Sequence, residues 1–187
     1  WHPERYNTEE LPGKIKLMLE KYPENRILRQ LAHCSMEYGC FTAQNIFCQR
    51  WEGGIPTMNI CNANCIGCIS ESHTGVEAPQ DRINFTPETK EIVEIGLEHL
   101  NSAPEAIISF GQGCEGEPSL NARKLSEAIK QIRQSSAKGT ININTNAGYT
   151  EGIKMMCDAG MDAMRVTIFS CVEDNYNSYH RPSTYSL

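Results

Sequence analysis

Apolar residues recur at helical spacing through the first part of the chain. Ile15, Met18, Leu19 and Tyr22 follow one another at three and four, Pro23 interrupts, and Ile27, Leu28, Leu31 and Ala32 resume on one face. This spacing predicts helix from about Leu11 to Tyr38. A loop-like stretch carrying Cys40 and Cys48 then leads to Gly53 and Gly54. The short apolar run IPTMNI, residues 55–60, reads as a strand that ends directly at Cys61.

Further along, the period alternates between helix and strand. Thr86 and Pro87 are placed as N-cap and first-turn proline of a helix with Val93, Leu97 and Leu100 on one side. AIISF, Ala106 to Phe110, reads as a strand, followed by the glycine-rich GQGCEGEP and a helix carrying Leu125, Ile129 and Ile132. TININT, Thr140 to Thr145, sets Ile141 and Ile143 on one face and Asn142 and Asn144 on the other. Thr150 opens a helix that ends at Gly160, and MRVTIFS, Met164 to Ser170, is a fourth strand. Strands alternating with helices predict an α/β fold of parallel βαβ units with right-handed crossovers, and chemistry at the carboxyl ends of the strands.

Composition narrows the class. The chain has 187 residues, a length suited to one buried core, and both ends are expected to be cut because it opens on Trp1 and stops at Leu187. With 40% hydrophobic and 21% charged residues, and no run of about eighteen apolar residues, it reads as globular and not membrane-spanning. A net charge of -6, with 17 basic residues spread along the chain, argues against a general nucleic-acid surface. A local nucleotide or RNA site stays open. Nine cysteines are an odd number, and the clustered ones lie too close for a secreted disulfide framework, so reduced thiols, a metal and a cytoplasmic location are expected.

The densest chemistry is CNANCIGC, which brings Cys61, Cys65 and Cys68 onto one short loop. Thiolates bind soft metals, and small Ala63 and Gly67 allow a tight backbone path around one centre. Structural metal sites fill every protein position, whereas a catalytic one leaves a place for substrate. Other readings are a closed Cys3His zinc site completed by His73, a ferredoxin-like cluster completed by Cys48 or Cys114, or three unrelated core thiols.

The CxxxCxxC spacing, just after a strand, resembles that of the radical S-adenosylmethionine (radical SAM) superfamily. The resemblance implies that Cys61, Cys65 and Cys68 hold a [4Fe-4S] cluster whose fourth iron is chelated by the amino and carboxylate groups of S-adenosylmethionine. AIISF followed by GQGCEGEP is similar to the family's glycine-glycine-glutamate motif, with Gly116 and Glu117 at the matching positions and Cys114 and Glu115 where a simpler glycine is usual. It implies that Glu117 or Glu115 receives the methionine ammonium, since a buried ammonium needs acceptors and a negative charge. A glycine-rich turn capping the next helix is the alternative. TNAG after TININT, and RVTIFSCVEDNYNSYHRP, resemble the family's third and fourth strand ends and imply cofactor contacts from Asn144, Thr167, Ser170 and Arg181. Ordinary strand polar residues and a surface arginine are the alternatives there. Gly67 stands where the family carries an aromatic residue.

The implied activity is reductive cleavage of S-adenosylmethionine to a 5′-deoxyadenosyl radical that takes hydrogen from a substrate, with electrons from an external flavodoxin- or ferredoxin-like donor. A noncatalytic iron–sulfur or zinc scaffold is the competing expectation. The implied organisation is a helical segment over 1–54 and a partial (β/α) barrel over 55–187, with about four of six βα units. A missing C-terminal part or a second polypeptide is expected to complete it. Cys34, Cys40 and Cys48 have no spacing that suits a second cluster and are expected to pack in the core, as are Tyr176, Tyr179 and Tyr185.

Overall fold

The computed structural model describes residues 8–187, so residues 1–7 of the segment expected to be helical lie outside the described residues. The first periodic stretch forms two helices, α1 (Leu11–Lys21) and α2 (Arg26–Glu37), which bury Leu11, Ile15 and Met18, and Ile27, Leu28, Leu31 and Cys34. Asn25 caps α2: its Oδ1 accepts from Leu28 N at 3.1 Å, while its Nδ2 donates to Glu91 O at 2.9 Å and Glu94 Oε2 at 3.0 Å. Asn25→Ala removes the cap, leaves the Leu28 N–H without its acceptor and breaks the tie to the Glu91 carbonyl, and is expected to lower unfolding free energy by about 2 kcal/mol, read as a lower urea midpoint at constant slope.

The stretch read as a loop around Cys40 and Cys48 is instead a helix, α3 (Phe41–Cys48), with Ala43, Ile46 and Phe47 buried. Its period was masked because Gln44 and Asn45 are buried too. They satisfy backbone groups, Gln44 Nε2 donating to Ser35 O at 3.2 Å and Asn45 Nδ2 to Glu52 O at 2.9 Å. Cys34 is fully buried, and Cys40 and Cys48 pack against the same core.

Four parallel strands form one sheet in the order β1 (Glu52–Gly54), β2 (Ile107–Phe110), β3 (Thr140–Thr145) and β4 (Ala163–Val166). The first strand is therefore EGG and not IPTMNI. Ile55 N still donates to Ser109 O at 3.0 Å, but Pro56 has no N–H to continue the ladder and the chain leaves the sheet. Gly53 lets α3 pack closely on the strand: a Cβ there would stand 2.3 Å from Ile46 Cδ1, so that side chain would have to shift. The fourth strand ends earlier than Ser170, with Thr167 N donating to Thr145 O at 2.9 Å just beyond Val166.

Helices α4 (Thr89–Ser102), α5 (Ala122–Ser135) and α6 (Thr150–Ala159) follow β1, β2 and β3, and α7 (Glu173–His180) follows β4. Thr86 and Pro87 do not open α4. Glu88 is the N-cap, and Glu91 returns to accept from Glu88 N at 2.8 Å, while Thr86 Oγ1 donates to Asn59 Oδ1 at 2.9 Å. Ile92, Ile95, Leu125, Ile129 and Ile132 from α4 and α5 meet Ile108, Phe110, Ile141 and Ile143, in one core that also takes in α1 to α3.

The opposite sheet face is polar. Ser109 Oγ donates to Glu52 Oε1 at 2.5 Å, Asn142 Nδ2 donates to Ser109 Oγ at 2.9 Å, and Arg165 Nη1 pairs with Glu52 Oε1 at 2.5 Å. β4 forms one edge of the sheet and leaves Met164 and Val166 exposed. No helix among the described residues is long and apolar enough to cross a membrane.

Candidate functional site

After β1 the chain runs beside the loop that follows β2. Gly116 N donates to Met58 O at 2.6 Å and Glu117 N to Ile60 O at 2.9 Å, which delivers Cys61 to the carboxyl end of the sheet. Glu115 fastens the same two segments. Its Oε2 accepts from Thr57 N (2.7 Å), Thr57 Oγ1 (2.8 Å) and Met58 N (3.1 Å), and its Oε1 from Gly111 N (2.6 Å) and Gln112 N (2.9 Å). Burial pushes its carboxyl up to about 7, while these donors favour the charged form. Gly116 is needed for the close approach of the chains: a Cβ there would lie 2.1 Å from Ile60 O and 2.4 Å from Ile60 C.

The cysteine loop is braced from the other side by the end of α7. Asn64 N donates to His180 O at 3.0 Å, Ile66 N to Tyr179 O at 2.9 Å, and Ser183 N to Asn62 O at 2.9 Å. The sequence joins these segments only at a separation of more than a hundred residues. Together they form a pocket of about 260 Å³ at the carboxyl ends of the strands. Of the residues singled out from sequence, Cys61, Cys65, Cys68, Glu115, Gly116, Glu117, Asn144 and Thr167 line it. Ser170 and Arg181 do not: Ser170 Oγ accepts from Val172 N at 3.1 Å in a local turn, and Arg181 is the exposed left-handed cap of α7, φ 47°.

Glu117 is buried and directed at the end of β3. Its Oε1 accepts from Ser119 N at 3.0 Å and Thr145 Oγ1 at 2.5 Å, and its Oε2 from Asn146 N at 2.9 Å. Asn144 Nδ2 donates to Phe110 O at 3.2 Å, tying β3 to β2 beneath the pocket. Gly67 leaves room for Tyr179, whose hydroxyl would be 2.4 Å from a Cβ at that position. The Tyr179 ring is stacked on Phe169, centroids 4.1 Å apart and planes at 10°.

The three thiols are partly buried in this pocket, and burial pushes the Cys65 thiol up to about 11, with Cys61 and Cys68 adding to the rise. Burial also raises Cys61, against the pull of the Ala63 backbone N–H. Two nitrogen groups reach the sulfurs. His180 Nδ1 stands 3.1 Å from Cys65 Sγ, and Arg82 Nη2 donates to Cys68 Sγ at 3.4 Å. His180 is itself buried, which lowers its pKa and keeps the ring neutral.

Among the described residues, no three His, Cys, Asp or Glu side chains gather tightly enough to hold a single metal ion. Cys61, Cys65 and Cys68 all line the same pocket, and thiolates are the donor type that iron–sulfur clusters take. Comparison with protein-family models, with curated proteins and with solved structures finds no match. The site rests on its own geometry.

The other candidates for a fourth ligand lie outside the pocket lining. His73 Nε2 is 3.7 Å from Glu71 Oε2, and Cys114 is buried in the core beside Cys34. Sequence reasoning missed His180, Arg82, Tyr179, Thr145 and Asn146. His180 and Tyr179 carried a signal as neighbours of Arg181 in NYNSYHRP, and Thr145 and Asn146 as part of TNAG, whereas Arg82 carried none.

Proposed function

We propose that the chain is the core of a radical SAM enzyme, in which Cys61, Cys65 and Cys68 hold a [4Fe-4S] cluster and the adjoining pocket binds S-adenosylmethionine. One observation carries this reading: the three thiols share a single pocket with Gly116, Glu117 and Asn144, residues far apart in the chain. Cys61, Cys65 and Cys68 would hold the cluster, which would supply the electron for reductive cleavage of bound S-adenosylmethionine to methionine and a hydrogen-abstracting 5′-deoxyadenosyl group.

The protein's own residues then have geometric tasks. Glu117 is a better candidate than Glu115 for the ammonium, because Glu115 already accepts from five donors whereas Glu117 accepts from three, with a single one on Oε2. Glu117 is held in position by Ser119, Thr145 and Asn146, and it supplies the negative charge a buried cation requires. Tyr179, standing over Gly67, offers an aromatic surface from α7 where the loop itself has none.

Anaerobic reconstitution with iron and sulfide, then reduction in the presence of S-adenosylmethionine, tests the reading. A brown protein that yields 5′-deoxyadenosine and methionine supports it, and a colourless protein holding a single zinc contradicts it. Cys65→Ala is expected to remain folded and take up no cluster. Glu117→Gln is expected to keep its iron and bind S-adenosylmethionine about 10- to 100-fold more weakly, the scale of one charged hydrogen bond. Equal affinity in variant and wild type removes Glu117 from this role.

A further inference from the structure

We infer that His180 is a positioning residue that donates its Nδ1–H to the Cys65 sulfur and, through that bond, raises the reduction potential of the cluster. The inference rests on the reading of the three thiols as a [4Fe-4S] site.

The hydrogen-bond pattern fixes the tautomer. Phe169 N–H donates to His180 Nε2 at 3.3 Å, so Nε2 is the acceptor and the ring proton sits on Nδ1. Nδ1 in turn faces Cys65 Sγ at 3.1 Å. The imidazole is only 1% exposed, so water does not compete for either nitrogen. Its position is over-determined: the carbonyl of His180 accepts from Asn64 N at 3.0 Å, one residue before Cys65, and the ring lies 4.4 Å from that of Tyr176.

Distance separates a donor from a ligand. A metal bound to both a thiolate and an imidazole at ordinary bond lengths and a tetrahedral angle would hold nitrogen and sulfur roughly 3.6 Å apart. The observed 3.1 Å is the spacing of an N–H···S contact. Arg82 makes a comparable contact with Cys68, but its guanidinium also pairs with Glu71 and the Ser70 hydroxyl. His180 has only a neutral backbone donor on its far side, so its N–H dipole is directed at the sulfur without a competing charge.

The consequence is electrostatic. Reduction adds an electron to a cluster whose thiolates share its negative charge, and a donor to one of those sulfurs stabilises the reduced form more than the oxidised one. Removing the donor favours oxidation. The segment after β4 participates through Phe169, which links the sheet edge to a cluster ligand by two successive hydrogen bonds.

Redox titration of the reconstituted cluster, followed by electron paramagnetic resonance, separates the two ring nitrogens. In His180→Asn the amide nitrogen reaches the place of Nδ1, and in His180→Gln it reaches the place of Nε2. We expect His180→Ala and His180→Gln to show about a tenfold lower ratio of reduced to oxidised cluster at a fixed potential, a negative shift of about 59 mV for one electron. His180→Asn is expected to stay near wild type. If the alanine variant does not fold, the comparison of Asn with Gln carries the test. Equal potentials in wild type, Asn and Gln variants overturn the inference while leaving the cluster reading intact. Loss of one iron from all three variants also overturns it, by making His180 a ligand. A wild-type chain that takes up no iron and sulfide overturns both.

Discussion

Gly116→Ala is expected to abolish iron uptake although it adds a single methyl group. The new Cβ would stand 2.1 Å from Ile60 O, 2.4 Å from Ile60 C and 3.0 Å from Cys61 N. These are backbone atoms, so no side-chain rotation relieves the contact. The two hydrogen bonds that deliver the cysteine loop, Gly116 N to Met58 O and Glu117 N to Ile60 O, must lengthen or break. Overpacking of this kind costs about 1–3 kcal/mol in stability, and the displacement moves Cys61 away from Cys65 and Cys68. Iron content after reconstitution should fall to that of Cys61→Ala. Gly13→Ala is the control, since a Cβ there meets nothing within 4 Å and alanine is the better helix former. Normal iron content in Gly116→Ala would show that the loop tolerates the shift this contact forces.

Gly116 also illustrates what the sequence could convey. Its presence beside Glu117 was legible, but its close approach to the Ile60 backbone was not. The α/β architecture was legible because periods of two and near four alternate cleanly: β3 spans the same Thr140–Thr145 read from TININT, and α6 runs from Thr150 to the glycine at 160. Where polar residues are buried, the period fails. Gln44 and Asn45 hide α3, and Pro56 shifts the first strand back onto Glu52, Gly53 and Gly54. The candidate site was legible where residues cluster in sequence, as in Cys61 to Cys68. His180 and Arg82 were missed because their relation to the sulfurs exists only after α7 and the segment before α4 fold back onto the loop.

Glu115→Gln is expected to be the most destabilising isosteric change in the chain, lowering unfolding free energy by on the order of 3–5 kcal/mol. The carboxylate is buried and accepts from five donors, three on one oxygen and two on the other. Whichever way the amide is turned, its NH2 group faces at least two donors and leaves them unsatisfied. Each buried N–H without an acceptor costs about 1–3 kcal/mol. Urea unfolding should show a lower midpoint with little change in slope, and Thr57→Val, which removes only one hydroxyl donor, should show a much smaller loss. A change below about 1 kcal/mol for Glu115→Gln would mean that the two loops are held by other contacts.

The most direct test of the account is the electron paramagnetic resonance spectrum of the reduced cluster, recorded before and after adding S-adenosylmethionine. If the three thiolates hold a [4Fe-4S] cluster as proposed, one iron is left for a small chelating ligand, so the spectrum should change on addition, and the change should be lost in Glu117→Gln at the same cofactor concentration. A spectrum indifferent to the cofactor, in a protein whose fourth iron is bound by one of its own side chains, would contradict the central claim.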